Sequence, residues 1–157
     1  MSIRDAEPTD LPTIASLIRE LAEFEHMEAE VELAEPDLAH WLFGPQPAAR
    51  VLVAVDPAAG VIGMALYYVT FSTFLGVPGI WLEDLFVRPA FRGHGHGQAL
   101  LDTLRGRTAG RVEWSVLEWN QRAIDFYESQ GARPVSGWIR YRWAPTDLAS
   151  QSSKLDR

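Results

Sequence analysis

The stretch Leu85-Phe86-Val87-Arg88-Pro89-Ala90-Phe91-Arg92-Gly93-His94-Gly95-His96-Gly97-Gln98-Ala99-Leu100-Leu101 constrains this chain more than any other. An apolar run there breaks into a glycine-rich turn and then into helix-period spacing. It reads as a strand, a loop and a helix start. Glycines let the backbone take φ > 0 and turn N–H groups toward one point, where the positive end of the helix dipole adds to them. Such a turn is suited to holding phosphate. The glycines at 93, 95 and 97 do not space as G-x-G-x-x-G, so this is not the dinucleotide fingerprint. Nor does it end in the Gly-Lys-Ser/Thr of a Walker A loop.

With 157 residues, 47% hydrophobic and 22% charged, the chain has the length and composition of one globular domain with a sizeable core. No run approaches 18 apolar residues, and Met1-Ser2-Ile3-Arg4-Asp5 lacks the basic and apolar regions of a signal peptide, so a cytoplasmic protein with no membrane partner is expected. Zero cysteines excludes disulfides, thiolate metal sites and a cysteine nucleophile. Four scattered histidines suggest no metal site. The net charge of −7 argues against nucleic acid as a partner, and its distribution is uneven. Residues 1–40 carry Asp5, Glu7, Asp10, Glu20, Glu23, Glu25, Glu28, Glu30, Glu32, Glu35 and Asp37 against Arg4 and Arg19. Residues 88–111 reverse this, with Arg88, Arg92, Arg105, Arg107 and Arg111 against Asp102. That pattern suits a polyanionic cofactor on one side and a cationic substrate on the other.

Along the chain, residues 2–6 read as a first strand, and Thr9 or Asp10 can cap a helix in which Leu11, Ile14, Leu17, Ile18, Leu21 and Phe24 form one apolar face. A second helix runs from Pro36 to the breaker Gly44-Pro45. Residues 50–55 and 61–71 read as two antiparallel strands about the turn 56–60. Gly76 and Pro78 predict a loop over 72–79, and residues 80–87 form the strand into the glycine turn. After the next helix, 112–117 alternates as a strand, and Asn120 caps a helix that stops at Gly131. Residues 132–135 and 138–143 are the last expected strands. The tail from Pro145 is polar and expected to be mobile. The order predicts an α/β fold, with a mixed central sheet of about seven strands flanked by about four helices, in one domain over 1–144.

Arg92-Gly93-His94-Gly95-His96-Gly97 resembles the Arg/Gln-x-x-Gly-x-Gly/Ala motif of the GNAT superfamily of acetyl-CoA-dependent N-acetyltransferases. Asn120-Gln121-Arg122-Ala123-Ile124-Asp125-Phe126-Tyr127-Glu128-Ser129-Gln130-Gly131 looks like its second signature, Asn-x-x-Ala-x-x-Phe-Tyr-x-x-x-Gly. Glu20 to Glu28, Leu82-Glu83-Asp84-Leu85-Phe86-Val87 and Glu118-Trp119-Asn120 are most similar to the diamine, or spermidine/spermine, N-acetyltransferases. The resemblance implies acetyl-CoA as co-substrate and a homodimer whose last strands exchange contacts. It further implies that Leu85, Phe86 and Val87 pair with the pantetheine arm. The N–H groups of Gly93, His94, Gly95, His96, Gly97 and Gln98, with the Arg92 side chain, would take the pyrophosphate. Asn120, Ala123 and Tyr127 would flank the cofactor. Phe24, Glu25, Glu83, Asp84, Glu118 and Trp119 would contact the amine, and Phe74 would join Trp119 in lining its tunnel.

The chemistry gives each catalytic position a reason. An amine with a pKa near ~10.4 is an ammonium at pH 7, and freeing its lone pair costs roughly 4–5 kcal/mol. A carboxylate must collect that proton, directly or through water, and Glu83 is the candidate. A backbone N–H such as that of Phe86 can stabilise the oxyanion. The departing thiolate needs a proton, which the Tyr127 phenol can give, so no covalent enzyme is required. Two departures from the subfamily pattern, Ser72-Thr73-Phe74 and Arg133-Pro134-Val135-Ser136-Gly137-Trp138, remove negative charge that would hold a long polycation. A shorter diamine, a lysine-like amino acid or another primary amine fits as well. The competing expectations are a different acceptor, such as a protein N-terminus, an aminoglycoside or an arylalkylamine, and a non-catalytic acyl-CoA sensor.

Overall fold

Helix α1 (Leu11–Phe24) forms where the apolar three-and-four spacing predicts it, and Ile14, Ala15 and Leu17 are fully buried along its inner face. The computed structural model describes residues 1–144. Asp10 does not cap α1 with its side chain. Instead its carboxylate accepts from the Glu7 N–H at 2.8 Å, closing a capping box on a single 3₁₀ turn (Pro8–Asp10), and takes a two-pronged bond from Arg4 at 2.6 and 2.9 Å. Helix α2 (Glu35–Phe43) starts with Pro36 in its first turn and buries Leu38 and Leu42.

Five strands form one sheet in chain order: β1 (Ser2–Asp5), β2 (Arg50–Asp56), β3 (Gly60–Ser72), β4 (Val77–Val87) and β5 (Val112–Glu113). The first four pair antiparallel, and β5 joins β4 in parallel. Asp56 shapes the β2–β3 turn by accepting from the N–H groups of Ala58 and Ala59, both at 2.9 Å. Val51, Val53, Met64 and Phe86 face α1 and α2 in one apolar cluster. Helix α3 (His96–Arg105), burying Leu100, Leu101 and Leu104, packs against β2, β3 and β4. The result is the α/β class expected, but among the described residues the mixed sheet has five strands where about seven were expected.

Three local expectations differ. β4 begins at Val77, so the loop expected over 72–79 shrinks: Pro78 sits opposite Phe71, beyond the stretch of β4 that β5 reaches, and there its missing N–H costs no ladder bond on the β5 side. The strand expected over 112–117 pairs only at Val112 and Glu113. Residues 132–135 and 138–143 carry no strand among the described residues, and Trp138, Ile139, Tyr141 and Trp143 are all at least 75% exposed. Alternation gives such a segment a strand-like pattern, but a strand also needs a ladder partner.

The chain divides into two compact units, Met1–Leu117 and the residues from Glu118 onward. The second holds helix α4 (Gln121–Ser129), with Asn120 as its cap and Gly131, at φ +84°, closing it.

Candidate active site

The glycine turn lies between the end of β4 and the start of α3. A 3₁₀ turn (Pro89–Phe91) leads out of the strand, then Gly93 and Gly95 adopt φ +81° and +82°, conformations that side chains resist. A Cβ built on either glycine would meet no atom within 4 Å, so the turn leaves room for a ligand against its backbone. The first ladder bond of α3 is Ala99 N–H to Gly95 O at 2.9 Å. The N–H groups of Gly95, His96, Gly97 and Gln98 therefore precede the ladder, at the positive end of the helix. These are the donors an anion needs. His94 and Gln98 are exposed beside them, while His96 is only 7% exposed and its Nδ1 finds no hydrogen-bond partner among the described residues.

Arg88 and Arg92 serve the turn differently from one another. Arg88 grips Glu20 of α1 through Nε and Nη2 at 2.7–3.2 Å and donates from Nη1 to Val61 O, which ties α1 and β3 to the end of β4. Arg92 donates from Nε to Val87 O at 2.7 Å. Its guanidinium carbon lies 5.1 Å from the centre of the Phe24 ring and 5.3 Å from that of Phe86. The expected pyrophosphate arginine thus spans the end of α1 and the face of β4.

Above the turn, β4 parts from its neighbour. β5 pairs only with Ile80 and Trp81, so among the described residues no strand of β5 accompanies β4 along Leu82–Val87 on that side. Leu85, Phe86 and Val87 pair on their other side with Ala65, Met64 and Gly63. An extended ligand bearing amides could lie along such an edge as an extra strand.

A bulge sets the carboxylates. Leu66 stands opposite Asp84 and Tyr67 opposite Leu82, which leaves Glu83 with no partner on β3. Leu66 packs on the α1 cluster, so Asp84 shares that face with Phe86. The extra residue brings Trp81 back to the same face, and its indole N–H donates to Glu83 Oε2 at 2.9 Å. Glu83 is exposed, whereas Asp84 is half-buried. Burial, and then the charges of Glu83 and Glu25, push the Asp84 carboxyl up to about 6. Burial also raises that of Glu25.

Glu25 owes its position to the end of α1. Met27 N–H bonds Ala22 O at 2.9 Å and His26 N–H bonds Glu23 O at 3.2 Å, with His26 at φ +58°, the pattern of a left-handed helix stop. Phe24 and Glu25 are the last residues before that turn.

The remaining expected residues belong to the second unit. The Asn120 side chain is buried and accepts from the Ala123 N–H at 3.2 Å, so it is the helix cap its sequence predicts. Tyr127 is half-buried on α4, its ring 5.4 Å from that of Phe126. Glu118 and Trp119 are exposed just before the cap. Phe74, at the tip of the β3–β4 hairpin in the first unit, is 93% exposed. Sequence reasoning missed the Arg88–Glu20 clamp, the bulge at Glu83 and the orphaned His96 nitrogen. A carboxylate and a guanidinium 68 positions apart, or a slip of register, leave no local signal.

Comparisons with known proteins place most of the chain in one family. The model of the Acetyltransferase (GNAT) family matches residues 14–132. A thialysine N-epsilon-acetyltransferase of Sus scrofa is 35% identical over 155 residues, covering 90% of this chain and 91% of the relative. An L-ornithine N5-acetyltransferase of Arabidopsis thaliana is 29% identical, covering 87% of this chain and 81% of its own. Among solved structures, an integron cassette protein from the mobile metagenome of V. cholerae matches with a TM-score of 0.78 at 26% identity, over 96% of both chains.

Proposed function

The chain belongs to the GNAT acetyltransferase family, and we propose that, as an acetyl-CoA-dependent N-acetyltransferase of primary amines, it acts on a small acceptor of the lysine, ornithine or short-diamine class. The observation that carries this reading is the run from the open edge of β4 into the left-handed glycines, with two adjacent carboxylates on the α1 side of the same strand. Acetyl-CoA supplies the activated acetyl thioester. Backbone groups of Leu85, Phe86 and Val87 are suited to its amide-bearing arm, and the N–H groups from Gly93 to Gln98 to its phosphate end; Asn120 and Ala123 of the second signature flank the cofactor in this reading.

In the catalytic reading, Glu83 relays the acceptor's proton and Tyr127 protonates the departing thiolate. A backbone N–H near Phe86 steadies the charge that develops on the carbonyl oxygen. Phe24, Glu25, Asp84, Glu118 and Trp119 hold the amine. The acidic first forty residues favour a cationic acceptor, and the sequence Ser72-Thr73-Phe74 lacks the charge that a long polyamine would require. The family match over most of the chain supports one acetyltransferase domain in 1–144. No helix among the described residues is long and apolar enough to cross a membrane, in keeping with a cytoplasmic enzyme. The exposed Trp138, Ile139, Tyr141 and Trp143 suit a homodimer contact.

Thiol release from acetyl-CoA across lysine, thialysine, ornithine, 1,4-diaminobutane, spermidine, spermine, an aminoglycoside and a short peptide tests the acceptor. Fastest turnover is expected with the lysine-like or short-diamine amines. Preference for spermine, the aminoglycoside or the peptide would refute the proposed class.

A further inference from the structure

Amine acetylation must dispose of a proton before any bond forms. The acceptor nitrogen arrives as an ammonium with no lone pair, and the exposed Glu83 carboxylate is already engaged by the Trp81 indole. We propose that Asp84 is the group that takes this proton from the acceptor's ammonium, and that Glu83 then passes it to solvent. The inference rests on the amine-acetyltransferase reading and deepens it, moving Asp84 from a contact residue to the first proton acceptor.

Geometry carries the assignment. The bulge at Glu83 places Asp84 on the face of β4 that also bears Phe86, half-buried where water is scarce, with Glu83 next to it at the surface. Two consecutive carboxylates, one inside and one outside, form a path that an unbroken strand would send to opposite faces. The charged groups facing Asp84 are Glu83 on its own strand and Glu25 at the end of α1, while β3 opposes it with Leu66. β5 contributes Glu113, opposite Trp81 and 3.8 Å from Arg111, and Arg92 reaches the ring of Phe86 from the following loop. Burial, and then the two acidic neighbours, raise the proton affinity of Asp84 to about 6, high enough to accept a proton and low enough to start ionised at neutral pH.

The step balances simply. The ammonium N–H breaks and an Asp84 O–H forms, leaving a neutral amine and a neutral acid. The amine lone pair then forms the C–N bond at the thioester carbonyl as the C–S bond breaks. The second proton leaves nitrogen, the thiolate gains one, and the net products are amide, thiol and the proton that Glu83 releases to water.

The test is the pH dependence of kcat/KM with thialysine or 1,4-diaminobutane, whichever the acceptor panel selects, for the full chain and for Asp84→Asn and Glu83→Gln. The natural chain is expected to rise through an inflection near 6 and then stay flat to about pH 9. Asp84→Asn should lose that inflection, fall about 10²- to 10³-fold at pH 7, and climb about tenfold per pH unit as free amine accumulates. Glu83→Gln should be slower yet keep the inflection. A flat Asp84→Asn profile, or loss of the inflection in Glu83→Gln alone, would overturn the proposal. A carbon-13 carboxyl titration of the natural chain, with Asp84 assigned by its absence in the variant, reads the same group without turnover. Titration near 6 supports the assignment and titration near 4 refutes it. No turnover with any amine would instead defeat the acceptor reading, and the titration would still decide on Asp84.

Discussion

His96 is the residue whose chemistry departs furthest from what its neighbours suggest. As part of Gly95-His96-Gly97 it reads as one more turn residue near phosphate, and its backbone N–H does lie in the first turn of α3. Its side chain, however, is packed inward with Nδ1 unsatisfied. An unpaired buried polar atom costs roughly 1–3 kcal/mol, and an apolar side chain of similar size escapes that cost. His96→Leu is therefore expected to raise the unfolding temperature by a few degrees, about 1 kcal/mol, measured calorimetrically, while acetyl-CoA affinity stays within a few-fold. A lower unfolding temperature would mean that Nδ1 has a partner. Glu83 and Asp84 teach a related lesson. The pair was legible as acidic residues in an apolar strand, but which was sheltered depended on a one-residue slip in pairing.

At the scale of elements, the glycine turn was the most legible feature because its demands are local. Only residues that tolerate φ > 0 can follow β4 in so few positions, and the sequence puts glycine at 93 and 95. Gly95→Val should cost one to two kcal/mol through strain at φ +82° and weaken acetyl-CoA binding at least about tenfold in calorimetry. Gly76→Val is the control. It has φ +66° and open space around it as well, but it lies in the β3–β4 hairpin, and its strain should leave the dissociation constant unchanged. Equal losses in both variants would point to general destabilisation instead of lost donors. Strands were less legible than helices. The amphipathic spacing of α1 carries its own ladder, whereas Trp138 to Trp143 carries only a pattern, and pairing is decided elsewhere in the chain.

For the molecule as a whole, carboxylates of two kinds should set the response to acid. Asp5, Asp10 and Glu20 have their affinity for protons lowered, first of all by hydrogen bonds from Arg107, Arg4 and Arg88. Their contribution to stability is present above the ordinary carboxylate range and is lost as pH falls through their lowered values. Asp84 runs the other way, from 3.8 unfolded to about 6 folded, so the folded state binds the extra proton between those limits. Stability should thus rise on acidification from pH 8 to about 5, by roughly 1–1.5 kcal/mol from Asp84 with Glu25 adding in the same direction, then collapse below about pH 4. Denaturant unfolding at pH 8, 5 and 3 checks the sequence of changes. Asp84→Asn should flatten the first and keep the second.

The sequence by itself determined what depends on near neighbours: the amphipathic helices, the β2–β3 turn, the glycine turn, the Asn120 cap and the two signatures that mark the family. Tertiary structure alone decided what depends on pairing and burial. It joined Arg88 to Glu20, laid Arg92 across Phe24 and Phe86, ended β5 after two residues, and turned Asp84 inward while leaving Glu83 outside. The reason is physical. A turn or a helix is stabilised within a few residues, but the proton affinity of a carboxylate is set by whichever parts of the chain exclude water from it.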